Sequence, residues 1–412
     1  MVRNAEIFES ISGKEIVDLV KALIRIPSHA EIKGQEKQIG HFVANKLERE
    51  GIEVKLQNVE DNRFNVIGII RGENNGCSLM LNGHLDTVPP SHRMVDPYNP
   101  IIKDGKLYGR GAADAKGGIG AMVYSLIAIK RSNIRLNGNL IFTGVIGEES
   151  PGHGGTGYIV KHGPKADVAI VGEPTNLRIV IAHKGVERIE IDIKGKSAQS
   201  SIPQRGVNAI SKAAKFIDAV EKDLIPKLNK RKHNLLGSPT INIGTIKGGI
   251  NPNMVPDNCI IKLDRYWIPT ESPSIIIKEL EDILNCLKKN DPDFEAELRR
   301  MEYLKEIPHA PLEISEDCYI VQVLKKSLCK MGLSPEISTI AAWTDAALLW
   351  NQGKIPTLLF SPGDISQAHS DREWVNVNDL ITATKVYILT ALEVCTHNNC
   401  VPSTIVLNQD SS

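Results

Sequence analysis

"LMLNGHLDTVPP" (residues 79–90) opens on an apolar run that ends at Gly83, and His84 and Asp86 then follow two positions apart. Side chains at i and i+2 of an extended chain face the same way. The stretch therefore reads as a buried strand that delivers an imidazole and a carboxylate together at its carboxyl end. Taken alone, a His-x-Asp is most often a loop hydrogen bond. The alternative is a metal ligand whose other ring N–H is held by the neighbouring carboxylate, which fixes the tautomer and frees the second nitrogen.

Around this stretch, apolar runs at 52–57, 64–70, 139–146 and 166–171 read as strands. Segments 14–26, 37–50 and 115–131 carry apolar residues at helical spacing. Strands alternating with helices predict an α/β sheet covered on both faces. At 186–194 ("VERIEIDIK") the pattern changes to strict apolar/polar alternation, the mark of a half-buried strand. A helix over 206–222, strands at 239–246 and 258–266, a helix over 273–289 and a strand at 293–299 complete the order β-α-β-β-α-β. That order predicts a ferredoxin-like α+β unit over 185–302, inserted into a domain made of 1–184 and 303–412. No internal repeat is found, and the polar carboxyl-terminal segment reads as frayed.

A chain of 412 residues with 42% hydrophobic content has room for two cores. Lys+Arg and Asp+Glu both number 49, so no global field attracts nucleic acid or an anionic membrane. No apolar stretch approaches the ~20 residues of a membrane helix, and the amino terminus has no signal-peptide pattern. A soluble cytoplasmic protein is expected. The seven cysteines (77, 259, 286, 318, 329, 395 and 400) show no C-x-x-C pair, which points away from a disulfide framework or cysteine zinc site and toward free thiols.

Further acidic groups follow apolar runs. Asp114 lies in "GRGAADAKGG" (109–118), Glu148 and Glu149 end "TGVIGEES" (143–150), and Glu173 lies in "VAIVGEPT" (168–175). His369 stands in "QAHSDREWV" (367–375). Separately, Asp114 reads as a helix N-cap and the glutamate pair as surface. Together they gather where α/β sheets bind ligands, at the strand carboxyl ends. A His/Asp/Glu set without cysteine suits zinc, cobalt or manganese, and a shared carboxylate would hold two ions roughly 3.5–4 Å apart.

The motifs "GHLDTVP", "GRGAADAKGG", "GEES", "GEPT", "NPNMVPDNC" and "AHSDREWV", in this order, resemble the di-zinc amidohydrolases and metallopeptidases that include acetylornithine deacetylase, succinyl-diaminopimelate desuccinylase, aminoacylase and glutamate carboxypeptidase. The likeness covers about residues 10–395. It implies a zinc-peptidase-like mixed sheet flanked by helices, with the inserted ferredoxin-like unit as lid and homodimer-forming domain. By the same resemblance His84, Asp114 and Glu173 would hold one divalent ion, and Asp114, Glu149 and His369 the other. Asp86 would orient His84, and Glu148 would be the general base and acid in hydrolysis of a small-molecule amide.

Three positions depart from that pattern. Where relatives carry an oxyanion-stabilising histidine, "KGKSAQSSIPQRG" (194–206) has Gln199, and losing a good oxyanion donor costs about 10²–10³ in rate. Where relatives carry an arginine that grips a substrate carboxylate, "IKLDRYWIP" (261–269) has Tyr266, with Arg265 facing the other side of the strand unless the register shifts. Trp343 precedes Thr344-Asp345 in place of small residues, either narrowing a pocket or packing in the core. Asn253 in "GGINPNMVP" (248–256) matches a substrate-binding lid residue and reads equally as a turn. His183 and His153 read as a hinge neighbour and a solvated loop residue, and His92, His162, His233, His309 and His397 receive no role. The favoured expectation is an amide hydrolase with an unusual substrate, such as one lacking the usual carboxylate. The alternatives are a di-metal enzyme turned to amide formation in a biosynthetic pathway and a catalytically weak binding or regulatory homodimer.

Overall fold

The helix Lys116–Arg131 is buried along almost its whole length, and its sequence explains how. Glycines in its first turns let the backbone lie directly against its neighbours: a Cβ on Gly118 would come within 2.5 Å of the Ser361 hydroxyl and 3.0 Å of the Gly172 carbonyl. The apolar residues that follow fill the space between the sheet and the helices Gly13–Ile24 and Val377–Cys395. The computed structural model describes residues 7–9, 11–60, 62–150 and 154–397, so His153 and the expected frayed tail beyond His397 lie outside them.

The chain divides into two units, one from 1–181, 314–338 and 344–412 and the other from 182–313 and 339–343. In the first, the strand order runs Glu53–Glu60, Arg63–Ile70, Leu140–Val145, Leu79–His84, Val168–Val171, Thr357–Leu359, Ile179–His183. The central strand Leu79–His84 is parallel to both neighbours, with His84 level with Val145 and Asn82 level with Val171. All six of its residues are buried. Its polar member Asn82 is satisfied by donating to the hydroxyls of Thr143 (3.0 Å) and Thr156 (3.2 Å). Three parallel strands therefore end within two residues of one another, and the loops leaving them carry Asp86, Glu148, Glu149 and Glu173. This is the mixed, helix-flanked sheet the sequence predicts. No helix among the described residues is long and apolar enough to cross a membrane.

Cysteine usage departs from expectation. Cys259, Cys286, Cys318, Cys329 and Cys395 are free, but Cys77 is disulfide-bonded. Spacing gave no sign of this. Asn137 and Gly138 N–H donate to the Cys395 carbonyl (2.7 and 2.9 Å), and Cys77 N–H donates to that of His397.

The second unit carries an antiparallel sheet in the order Thr240–Gly248, Asn258–Trp267, Gly185–Lys194, Glu295–Arg300. Numbered along the chain this is 2-3-1-4, the arrangement of a β-α-β-β-α-β fold. One face packs Ile189, Ile191, Ile193, Ile261 and Leu263 against Phe216, Ile276 and Leu280 of its helices. The unit ends near 313 rather than 302 because the following segment stays bonded to it. The Tyr303 hydroxyl accepts from Arg188 at 2.9 Å, and Val186 N–H donates to the His309 carbonyl at 3.0 Å.

The strand Asn258–Trp267 keeps unbroken pairing with Gly185–Lys194, so no register shift turns Arg265 outward. Its guanidinium is 1% exposed, bonded to Glu271 at 2.5 Å and near Glu279 at 3.5 Å. Tyr266 is half-buried on the opposite face. Truncating one member of a buried ion pair leaves the other uncompensated. Arg265→Ala should therefore cost about 3–5 kcal/mol in denaturant unfolding, with little change in KM for any substrate.

Candidate metal centre

His84 sits at the end of its strand with its side chain buried. Its Nδ1–H donates to the backbone carbonyl of Asp86 at 2.9 Å, leaving Nε2 3.0 Å from Asp114 Oδ1 and 3.9 Å from Glu173 Oε1. Asp86 thus fixes the ring chiefly through its main-chain oxygen; its carboxylate stands 3.5 Å from Nδ1. That carboxylate does something the sequence did not suggest. It accepts the backbone N–H of Glu148 (3.2 Å) and of Glu149 (2.9 Å). Glu36, itself paired with Arg63 at 2.6 Å, accepts the N–H of Gly147 at 3.1 Å. Three successive amides are tied to two buried carboxylates, which aims the glutamate pair.

Asp114 is not a helix cap. Ala115 occupies the cap position without a side-chain bond, and Asp114 lies between two imidazoles, 3.0 Å from His84 Nε2 and 3.5 Å from His369 Nε2. Its loop is held by Glu373, which is wholly buried. Glu373 accepts from Gly111 N–H (2.9 Å), Ala113 N–H (2.9 Å), Asp114 N–H (3.0 Å) and Arg110 Nη1 (2.8 Å). Gly111 adopts φ +84°, the left-handed region that a side chain would strain. His369 is also left-handed, at φ 60°, and half exposed; its Nε2 lies 3.0 Å from Glu149 Oε1. Such a conformation in a non-glycine residue costs of order 1–3 kcal/mol and is held here by the imidazole's bonds. Glu173 is anchored through its neighbour Thr175, whose hydroxyl accepts from Ser361 N–H (3.0 Å) and donates to the Ser361 carbonyl (3.1 Å).

Ligand-type atoms of His84, Asp114 and Glu149 fall within 4.8 Å of one another, as do those of His84, Glu148 and Glu173. These groups cut across the two expected ligand sets and bring Glu148 within 4.8 Å of His84 and Glu173. Electrostatically the site is crowded with negative charge. Burial, then Glu173, pushes the Glu148 carboxyl well above its usual range. Burial likewise lifts Glu173 to about 8 and raises Glu149 against its bond from His369. For Asp114, burial is outweighed by hydrogen bonds to His369 and His84, which hold it below the usual carboxylate range. His369 is pushed up to about 10 by Asp114 first and Glu149 second. A buried set of imidazole nitrogens and carboxylate oxygens whose members repel one another fits divalent cations of the zinc, cobalt or manganese type.

Asp345 was missed in the sequence. It is buried, accepts from the Thr156 hydroxyl at 2.7 Å, and is raised to about 6 by burial, close enough to add to the repulsion on Glu148 and Glu173. Glu373 and Arg110 were missed as well, although both stand inside motifs already singled out.

Gln199, Asn253 and Tyr266 lie on the second unit. Gln199 bridges Met254, and Ser200 N–H donates to the Asn253 carbonyl at 3.1 Å, so Gln199 and Asn253 occupy paired segments with both residues exposed. Tyr266 stands apart on the sheet. Trp343 stacks on His309, with ring centroids 3.7 Å apart and an 11° interplanar angle. His183 is fully buried, with Nδ1 bonded to the Lys184 carbonyl at 2.9 Å.

The model of peptidase family M20/M25/M40 matches residues 80–393. An acetylornithine deacetylase from Myxococcus xanthus is 30% identical over 362 residues, 86% of this chain and 91% of that protein. An N-formyl-4-amino-5-aminomethyl-2-methylpyrimidine deformylase from Bacillus subtilis is 30% identical over 401 residues, 91% of this chain and 93% of its own. Among solved structures, the Bacillus subtilis YXEP protein, a dinuclear metal-binding peptidase, shares the fold with a TM-score of 0.68 at 16% identity, covering 93% of this chain and 99% of that one.

Buried partners that orient metal ligands are worth about 10–100-fold in metal affinity. Glu373→Gln should weaken binding of the metal by that factor in a competitive chelator titration, because all four bonds lose a charged acceptor and two of them lose the acceptor altogether. Unchanged affinity would mean the Asp114 loop is held without it.

Proposed function

Because the chain belongs to peptidase family M20/M25/M40, we propose that this metal-dependent amidohydrolase cleaves the amide bond of a small N-acyl amino acid or peptide-like substrate at a two-ion centre. The observation that carries the reading is the convergence of His84, Asp114, Glu149, Glu173 and His369 around one buried space with Glu148 beside them. Those five residues would hold two divalent ions, zinc by preference, which supply Lewis acidity to the carbonyl and the attacking water.

The chain's own groups account for the remaining steps. Glu148 takes the proton of the attacking water and passes it to the leaving nitrogen. Burial supports this role, since a carboxyl raised toward neutrality both accepts and returns a proton readily. Asp86 and Glu36 keep Glu148 in place by holding the amides of 147–149. Gln199 offers a neutral amide N–H to the developing oxyanion, weaker than an imidazolium. We read the second unit as a lid that also forms a homodimer. Its edge strand Thr240–Gly248 is unpaired on one side among the described residues, with Ile210, Ile246, Ile250 and Met254 exposed nearby. An apolar open edge of this kind is a template for pairing with a second copy.

The test joins metal content with hydrolysis of N-acetyl, N-formyl and N-succinyl amino acids and of dipeptides. Two metals per chain are expected, with turnover lost on chelation and restored by metal. Glu148→Ala should lower kcat by about 10²–10⁴ without loss of metal, and Gln199→His should raise it. Two bound metals with no turnover of any panel member, even in Gln199→His, would overturn the reading. Separately, Ile246→Lys with Ile250→Lys should convert a dimer to a monomer in light scattering.

A further inference from the structure

The first unit buries a second polar cluster, built on the two ends of the Asp114 loop and unused by the proposed hydrolysis. Ser28, His29, Thr87, Arg110 and Lys116 are each more than nine-tenths buried. Main-chain bonds bring their segments together. Thr87 N–H donates to the Ser28 carbonyl at 3.0 Å, and the Lys116 ammonium donates to the Ile26 carbonyl at 2.7 Å. A Cβ on Gly111 would meet Lys116 Cδ at 2.8 Å and Thr87 Cγ2 at 3.0 Å, so these two side chains flank one point. Arg110 N–H donates to the Pro97 carbonyl at 2.8 Å, which sets Tyr98 beside it. The Tyr98 ring lies parallel to that of His29, with centroids 6.3 Å apart and a 6° interplanar angle. Both cations act on His29: burial lowers its pKa first, and Lys116 and Arg110 lower it further against exposed Glu31.

Hydrogen bonding in this cluster is incomplete in one sense only. Ser28 Oγ, His29 Nδ1, Thr87 Oγ1, the Tyr98 hydroxyl and Arg110 Nε each lack a partner among the described residues. They are five of the twelve buried side-chain polar atoms in that condition, so the deficit is concentrated here and not scattered. The Lys116 ammonium has three N–H groups, but it makes one hydrogen bond and meets no carboxylate among the described residues. Glu373 cannot answer it, because that carboxylate already accepts from three amides and from Arg110. Two buried cations thus share one buried acid. Arginine Nε and lysine Nζ can only donate, and the hydroxyls can donate as well. Whatever meets these groups must accept hydrogen bonds. Water would do so but leave the Lys116 charge uncompensated, and a buried unpaired charge is far costlier than a buried polar group. A negative ion meets both needs through charge-assisted bonds.

We infer that Ser28, Thr87, Arg110 and Lys116 form a buried binding site for a small monatomic anion of the chloride type, with His29 and Tyr98 beside it. The burial of every one of the four residues selects a single-atom ion over a carboxylate or phosphate. Such an ion ties the segment at 28 and the segment at 87 to both ends of the Asp114 loop and so stabilises the first unit. It plays no part in the hydrolysis, and the inference stands whether or not the hydrolase reading does.

The experiment takes the metal-loaded full chain, dialysed free of halide, and replaces sodium gluconate with sodium chloride or bromide at one ionic strength. Tm should climb with the logarithm of halide concentration once that exceeds Kd, because an ion that binds only the folded protein stabilises it by mass action. Ser28→Ala and Thr87→Val each remove one donor without removing a charge. Each should raise the halide concentration at which the climb begins by about 10–100-fold, the worth of one bond to a charged group. Lys116→Met should abolish the climb; if that variant does not fold, the two hydroxyl variants decide. Crystals grown in bromide should show an anomalous peak in contact with Arg110 Nε, Lys116 Nζ and the Ser28 and Thr87 hydroxyls. Water at that point, or bromide at the metal centre or the surface alone, overturns the assignment. So does a Tm that ignores the exchange of gluconate for halide, or a climb that Ser28→Ala and Thr87→Val leave unmoved.

Discussion

The bond set around Glu373 is the constraint on which the metal centre depends. A single buried carboxylate gathers three amides of one loop and a guanidinium from residues about 260 positions earlier in the chain. Without it, the loop that brings Asp114 between His84 and His369 would leave several buried N–H groups unsatisfied, each costing about 1–3 kcal/mol. With it, the loop is fixed before any ion arrives. Asp86 repeats the device on the neighbouring loop by taking the amides of Glu148 and Glu149.

The buried acids therefore sort by what they accept. Asp86, Glu36 and Glu373 receive backbone N–H or guanidinium donors. Glu148, Glu149 and Glu173 receive few or none, and burial raises all three. The first group is structural, because its bonds hold the two ligand loops in place. The second group stays frustrated until a cation or a proton meets it, which is the property a metal and a proton shuttle both need. His369 differs from the rest: it is half exposed and reaches the cluster from a left-handed backbone conformation.

Much of this was legible along the chain because it is local. A continuous apolar run followed at once by His or Glu marks a parallel strand and its loop, and His84, Glu148, Glu149 and Glu173 were found in that way. Parity on a strand sets Tyr266 and Arg265 on opposite faces, and the unbroken pairing with Gly185–Lys194 closes the register shift that the sequence left open. Glu373, Arg110 and Asp345 left no such trace. Their partners are backbone amides, a hydroxyl and carboxylates far away in sequence, and no periodicity records those. The boundary near 313 was misplaced for the same reason: Tyr303 and His309 belong to the second unit through single bonds and one ring stack, not through a patterned element. Spacing likewise carries no sign that Cys77 is disulfide-bonded.

The amides of Gly111, Ala113, Asp114, Gly147, Glu148 and Glu149 all lie in loops, yet each is bonded to a buried carboxylate rather than to water. Loop amides ordinarily exchange with solvent deuterium through small local openings. Here an opening would strip a charged acceptor of its donors in a low-dielectric setting, so it is far more expensive than ordinary loop fraying. These protons should exchange as slowly as those of the central strands, which makes the two ligand loops part of the rigid frame of the first unit. Adaptation to different substrates must then come from elements outside that frame.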